Sequence, residues 1–184
     1  MSRTKSRTKY SFFLALTALI LAGCASNPPL YSGAEDWRVK GKFSFRSDEK
    51  RESGNFDWRQ SGQSYQVRLF GPLGFGAINI SGDEQQISVQ SARHQQQSLD
   101  PAGLIYEITG MDLPITDIPN WLQGQGNAFH SEYTEYDGDG NITRTFLHGW
   151  DIQYQDYSVD SALPKSITAT QDDNALRLVA LEWN

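Results

Sequence analysis

The chain has one cysteine in 184 residues, Cys24. A single thiol forms no internal disulfide, and metal sites built from clustered cysteines are excluded with it. Histidine is scarce too. His94, His130 and His148 are the three, and no two stand at a metal-binding spacing such as H-x-x-x-H. There is no G-x-S-x-G elbow, P-loop or dinucleotide fingerprint. Internal repeats and low-complexity tracts are missing. Asp137-Gly138-Asp139-Gly140-Asn141 begins like a calcium loop, but Leu147, His148 and Gly149 occupy the region where the closing Glu belongs. A tight hairpin is expected there instead. Asp172-Asp173 reads as a solvated turn. These residues call for no enzyme activity, metal or cofactor. A catalytic pair assembled from distant strands leaves no local signature, and that alternative stays open.

The N-terminal apolar run falls short of the ~20 residues that a transmembrane helix needs. It extends from Phe12 to Ala22, after Arg3, Lys5, Arg7 and Lys9 with no acidic residue among them. This is the layout of an export signal. The run closes on Leu21-Ala22-Gly23-Cys24, which resembles the bacterial lipobox. That resemblance implies cleavage before Cys24, diacylation of its thiol and acylation of the new amine. Residues 1–23 are therefore expected to be a signal peptide, 24–36 a lipidated N-terminus and tether, and 37–184 one folded domain. Pro28, Pro29, Ser32 and Gly33 suit a tether. Each buried CH₂ contributes roughly 0.8 kcal/mol, so three acyl chains hold a protein on a membrane durably. Ala25 and Ser26 follow the cysteine with no Asp, which by the family sorting pattern points to the outer membrane, facing the periplasm.

Basic residues are few once the signal is gone. The formal charge of −6 becomes −10 when four basic residues and no acidic ones are removed. Such a chain is expected to repel nucleic acid, and to grip anionic lipid poorly by charge alone. About 160 residues remain, enough for one domain with a core.

What the body does have is period-two alternation broken by turn residues. Trp37, Val39, Gly41, Phe43 and Phe45 alternate with polar residues up to Arg46. A polar turn is expected over Asp48 to Ser53. Phe56 and Trp58, then Tyr65, Val67 and Leu69, then Ile78 and Ile80, then Ile87 and Val89 continue the pattern. Asp100-Pro101 starts a helix whose stripe is Leu104, Ile105 and Ile108, with Gly110 as its stop. A second short helix is expected from Ile118 to Leu122, ending at Gly124. Strands resume at Phe129 to Tyr136, Ile142 to Leu147, Trp150 to Tyr157, Lys165 to Thr170 and Ala175 to Trp183. The fold class is mainly β with short helices: an antiparallel meander of about ten strands. So large a sheet curls, and its apolar face is filled by side chains or capped by the helices around a hollow. Five Trp, eight Tyr and nine Phe supply the lining. Gly71-Pro72-Leu73-Gly74-Phe75-Gly76 is a loop with apolar side chains, Leu73 and Phe75, where polar ones are usual. It reads as a tip that enters a bilayer or meets an acyl chain, or else as a lid folded back on the core.

Together these segments resemble the LolB family of outer-membrane lipoprotein receptors. The match rests on the lipobox at Cys24, Gly54-Asn55-Phe56-Asp57-Trp58 with Gln60, Gly71-Pro72-Leu73-Gly74, and Leu104 to Leu113 with Thr109-Gly110-Met111 and Pro114. Trp121-Leu122 with Gly124, Gly149-Trp150, Leu163-Pro164 and Trp183 complete it. The resemblance implies an unclosed half-barrel of eleven antiparallel strands, with helices over an apolar cavity. It implies a monomer whose partners are the periplasmic carrier LolA, acylated lipoprotein cargo and outer-membrane lipid, with no nucleic acid. Leu73 matches the family's membrane-inserting leucine, and Phe75 is an additional apolar residue beside it. Phe43, Phe45, Phe56, Trp58, Val67, Leu69, Ile78, Ile80, Ile87, Val89, Leu104, Ile108, Trp150 and Ile152 are expected in cavity or core, and alternation alone does not divide them. A competing reading is an envelope scaffold or glycan-binding lipoprotein with Trp and Tyr in an open groove. A lipid hydrolase, the third class, has no motif in its support.

Overall fold

The structure is a computed structural model that describes residues 36–48, 50–74, 76–109, 113–125 and 133–184. Cys24, Phe75, Gly110 and His130 lie outside the described residues, as do the signal peptide and the tether up to residue 35. From Asp36 onward the described residues form one antiparallel sheet of eleven strands with two short helices.

Six strands come first: β1 (Asp36–Arg46), β2 (Arg51–Ser61), β3 (Ser64–Phe70), β4 (Ile78–Gly82), β5 (Ile87–Gln90) and β6 (Gln95–Ser98). The helices α1 (Pro101–Thr109) and α2 (Ile118–Leu122) follow. Five strands close the chain: β7 (Tyr133–Tyr136), β8 (Ile142–Leu147), β9 (Trp150–Tyr157), β10 (Pro164–Gln171) and β11 (Asn174–Trp183). Across the sheet the order is β6-β5-β4-β3-β2-β1-β11-β10-β9-β8-β7. Two meanders are thus joined at the centre by the first and last strands, while β6 and β7 are the edges among the described residues. The helices belong to the stretch of chain that links those two edges.

Alternation places the core. On β2 and β3, Phe56, Trp58, Tyr65 and Val67 are buried while Arg59, Gln66 and Arg68 are exposed. The inner faces of all the long strands contribute to one apolar cluster with the helices. At Gly41 β1 meets a register shift against β11, where a Cβ would come within 2.7 Å of the Val179 carbonyl oxygen. Glycine allows the two backbones to approach there.

Two details differ from the sequence expectation. The first turn is shorter than Asp48 to Ser53: Ser47 N–H donates to the Lys50 carbonyl at 2.9 Å, and β2 already begins at Arg51. Backbone pairing with β1 continues through polar residues that alternation does not flag. The eleventh strand is β6, whose Gln95-Gln96-Gln97-Ser98 sequence has no apolar period. A wholly polar strand suits a sheet edge, where it discourages pairing with another chain.

The Asp137 turn is a hairpin held by its own carboxylate. Asp137 Oδ1 accepts from the backbone N–H of Asp139 and of Asn141, each at 2.9 Å, and Oδ2 accepts from the Asn141 amide at 3.1 Å. These bonds, that from the Asn141 side chain first, hold the Asp137 pKa below the ordinary carboxylate range.

Candidate functional site

The helices are positioned over the sheet by specific contacts. Asp100 caps α1: its Oδ1 accepts from Gly103 N–H at 3.0 Å and its carbonyl from Leu104 N–H at 3.2 Å. At the other end of α1, the Lys50 ammonium donates to the Ile108 carbonyl at 2.7 Å. A cation at a helix C-terminus meets the favourable end of the dipole. The bond ties α1 to the β1–β2 turn. α2 is pinned from behind by Trp121, whose ring lies 6.0 Å from that of Trp150 on β9. Gly124 ends it at φ 64°, where a Cβ would crowd the Tyr157 hydroxyl at 2.9 Å. That hydroxyl in turn donates to the Ile142 carbonyl at 2.6 Å. Burial pushes the Tyr157 pKa up, so the phenol stays a donor.

Between helices and sheet lies a cavity of about 90 Å³ whose fourteen lining side chains among the described residues are all apolar. Its floor is Phe43, Phe45, Phe56, Trp58, Val67, Leu69 and Ile80 with Leu176 and Leu178 of β11, and its roof is Ile105, Leu113, Ile115, Ile118 and Leu122. The sole polar atom of Trp58 is turned to a partner: its indole N–H donates to Gln60 at 2.9 Å, and Gln60 donates to the Gly62 carbonyl at 2.8 Å. Among the described residues the wall thus holds no unpaired side-chain donor that would favour water.

The expected residues divide. Phe43, Phe45, Phe56, Trp58, Val67, Leu69 and Ile80 line the cavity. Leu104, Ile87, Val89, Trp150 and Ile152 are buried in the core without lining it, and Ile78 and Ile108 are half-buried against that core. On α1 it is Ile105, one position beyond Leu104, that reaches the hollow. Leu176 and Leu178 were legible in the alternation of the last strand. Leu113 and Ile115 were not, because they lie in an irregular segment with no period.

The cavity is small. An apolar hole of about 150 Å³ accommodates one benzene, so about 90 Å³ does not admit a long acyl chain in this conformation. Entry of a long chain would need the space between roof and floor to widen. What the roof gives up on separating is mainly apolar contact, with the Lys50 bond at one end.

Leu73 does not fold back as a lid. It is 94 % exposed, in a 3₁₀ turn over Pro72–Gly74, and its backbone is left-handed at φ 59°, ψ 17°. That conformation costs a non-glycine residue roughly 1–2 kcal/mol. The loop therefore combines an exposed leucine with local backbone strain, and such strain concentrates at functional sites.

The tryptophans face inward, whereas Tyr106, Tyr133 and Tyr136 are exposed. Trp58, Trp121 and Trp150 are buried. Trp37 packs with Trp58 and Trp183 at ring distances of 6.5 and 5.4 Å. Of the histidines, His94 occupies the β5–β6 turn, and His148 Nδ1 stands 2.8 Å from Asp117 Oδ2 at the start of α2. Among the described residues no three His, Cys, Asp or Glu gather as a metal site.

Comparison with known proteins agrees with this geometry. The family model described as outer membrane lipoprotein LolB matches residues 35–183. A relative from Dechloromonas aromatica, named outer-membrane lipoprotein LolB, is 32% identical, covering 94% of this chain and 96% of its own. Relatives of the same name from Pseudomonas fluorescens and Francisella tularensis subsp. tularensis are 29% and 26% identical, covering 89% and 100% of this chain and 90% and 99% of their own. A match over the whole described domain, and over relatives of equal length, places the chain in the outer-membrane lipoprotein LolB family.

Proposed function

We propose that this protein is a lipid-anchored receptor of the outer membrane, facing the periplasm. It accepts acylated lipoproteins from the periplasmic carrier LolA and inserts them into the inner leaflet. The observation that carries this reading is the wholly apolar cavity beneath α1 and α2, in a chain of the LolB family. The three exposed acyl chains of a lipoprotein would place tens of CH₂ groups in water at roughly 0.8 kcal/mol each. Passing the chains from one apolar cavity to another avoids that barrier without a nucleotide, and direction follows from affinities that rise from carrier to receptor to bilayer.

Cys24 is the lipidation site in this reading, and Leu73 with Phe75 forms the tip that enters the bilayer. One buried leucine contributes roughly 1.5–3 kcal/mol. That is a reversible contact, suited to disturbing lipid beside a permanent anchor. The inward packing of the tryptophans speaks against the glycan-binding alternative, which needs them in an open groove.

The test loads the carrier with an acylated lipoprotein and adds this protein without its own acyl groups. Transfer of the cargo is expected, and its absence counts against the receptor reading. Leu73→Glu is expected to leave acceptance from the carrier intact and to reduce delivery into membranes severalfold. Normal delivery by that variant removes the loop from the mechanism.

A further inference from the structure

The net charge of the chain conceals a segregated surface. Eight arginines and lysines project from the outer faces of β1, β2, β3 and β11: Arg38, Lys40, Lys42, Arg46, Arg51, Arg59, Arg68 and Arg177. Their neighbours along each strand, Phe43, Phe45, Phe56, Trp58, Val67, Leu69, Leu176 and Leu178, line the cavity on the opposite face. Arg38 is paired with Asp57, and Arg68 stacks over Phe70 at 5.4 Å. Three others converge. Arg46 stands directly opposite Arg51 in the β1–β2 register, and Ser44 stands opposite both Ser53 and Arg177. Like charges facing each other across a ladder repel. None of the three arginines has a hydrogen bond or ion pair with another described side chain, and all three are exposed.

They line a groove of about 440 Å³ with the hydroxyls of Ser44, Ser53 and Thr168, and with one carboxylate, Glu52. Asp172 and Asp173 lie in the β10–β11 turn beyond it. Guanidinium forks and hydroxyl donors around a groove are the chemistry that takes phosphate oxygens. Two placements favour phosphate on a lipid surface. The strand register puts the groove and the Leu73 loop at the same end of the sheet, since β2 begins at Arg51 where β3 ends at Phe70, beside Asn55. Phe45 lines both this groove and the apolar cavity, so the two share a wall.

We propose that Arg46, Arg51 and Arg177 form a headgroup site that docks this end of the domain on anionic phospholipid. The proposal rests on the reading that the protein works at a membrane. It replaces the expectation, drawn from net charge, that the domain grips such lipid poorly. The site holds phosphate on the outer face, at the end of the sheet from which the Leu73 loop projects, and Leu73 enters the apolar layer at that same end.

The test uses the mature chain with Cys24→Ala, so that no acyl anchor masks the contact. Its binding is measured with vesicles of phosphatidylcholine alone and of phosphatidylcholine with phosphatidylglycerol, over a salt titration. Binding to the anionic vesicles that weakens with salt is expected. Each arginine near an anionic surface contributes about fivefold, so Arg46→Gln, Arg51→Gln and Arg177→Gln together should weaken binding about a hundredfold. The three sites are exposed and two of them repel each other, so the melting temperature should not fall. Arg93→Gln with Lys165→Gln, basic residues outside the groove, should change binding little. Equal losses in both variants, or unchanged binding in the triple variant, would overturn the site. Saturable binding of inorganic phosphate without preference for anionic vesicles would show a free-phosphate site and overturn the lipid assignment. Acceptance of cargo from the carrier is read separately: its loss would remove the receptor function while leaving the vesicle result standing.

Discussion

The two halves of the sheet bury their inner faces in different ways. Over β8, β9 and β10 the space is solid: Trp121, Trp150, Ile152, Leu147, Ile167 and Ala169 are at most 1 % exposed. Over β1 to β4 and β11 the same helices leave a hole lined by phenylalanines, two of which, Phe43 and Phe45, remain half-buried. One half is an anchor for the roof and the other is the space beneath it. A roof packed against solid core on one side and over a hollow on the other is the arrangement in which lifting would disturb the rest of the domain least.

The largest test of that contrast is truncation. Trp121→Ala removes a fully enclosed ring from the solid half and is expected to cost about 3–5 kcal/mol. Phe45→Ala, at the rim of the hollow, should cost about 1 kcal/mol, because water already reaches that ring. Chemical denaturation of both variants measures the difference, and equal losses would break the contrast. Enlarging side chains should give the opposite pattern at smaller size. Ala169→Leu has no room and is expected to lose about 1–3 kcal/mol. Val67→Leu grows into the hollow and should be neutral or gain up to about 1 kcal/mol, while slowing uptake of acylated cargo.

The smallest effect concerns two ion pairs, one in each half. Arg38 holds the Asp57 carboxyl below its ordinary pKa, mainly by hydrogen bonding, and Arg144 does the same for Asp151. Each pair's contribution is complete above the ordinary carboxylate pKa of about 3.9 and disappears as pH falls through the lowered folded value. Denaturation midpoints should therefore fall as the pH drops below about 4. Asp57→Asn should flatten that fall more than Asp151→Asn, because the Arg38 bonds are partly buried and those of Arg144 are exposed.

Much of this was visible in the residues themselves. Strands with one wet face betray themselves by alternation, and Asp100-Pro101 and Gly124 marked helix ends through their chemistry. The Leu73 loop stood out because apolar side chains are unusual between two glycines. The polar edge strand β6 left no trace, since a strand that buries no face has no period. The cavity roof was half legible. Ile118 and Leu122 follow from the helix, whereas Leu113 and Ile115 depend on how the chain returns across the sheet. The arginine groove was hidden for another reason. Its members come from three strands, and only the registers of β1 with β2 and β11 bring them together.

Pairing of the first strand with the last has a consequence for how the domain is made. Each meander can form by local hairpins, but the seam between them waits for β11, whose backbone meets β1 from Arg46 back to Val39. Until then, β1 and β10 each present an unpaired edge beside a greasy face, the arrangement most prone to aggregation. Completion of the sheet is thus a late, long-range step, and slow folding is expected of it. A protease that clips between β10 and β11 would leave a chain unable to finish, which makes that short turn the point at which quality control can most cheaply intervene.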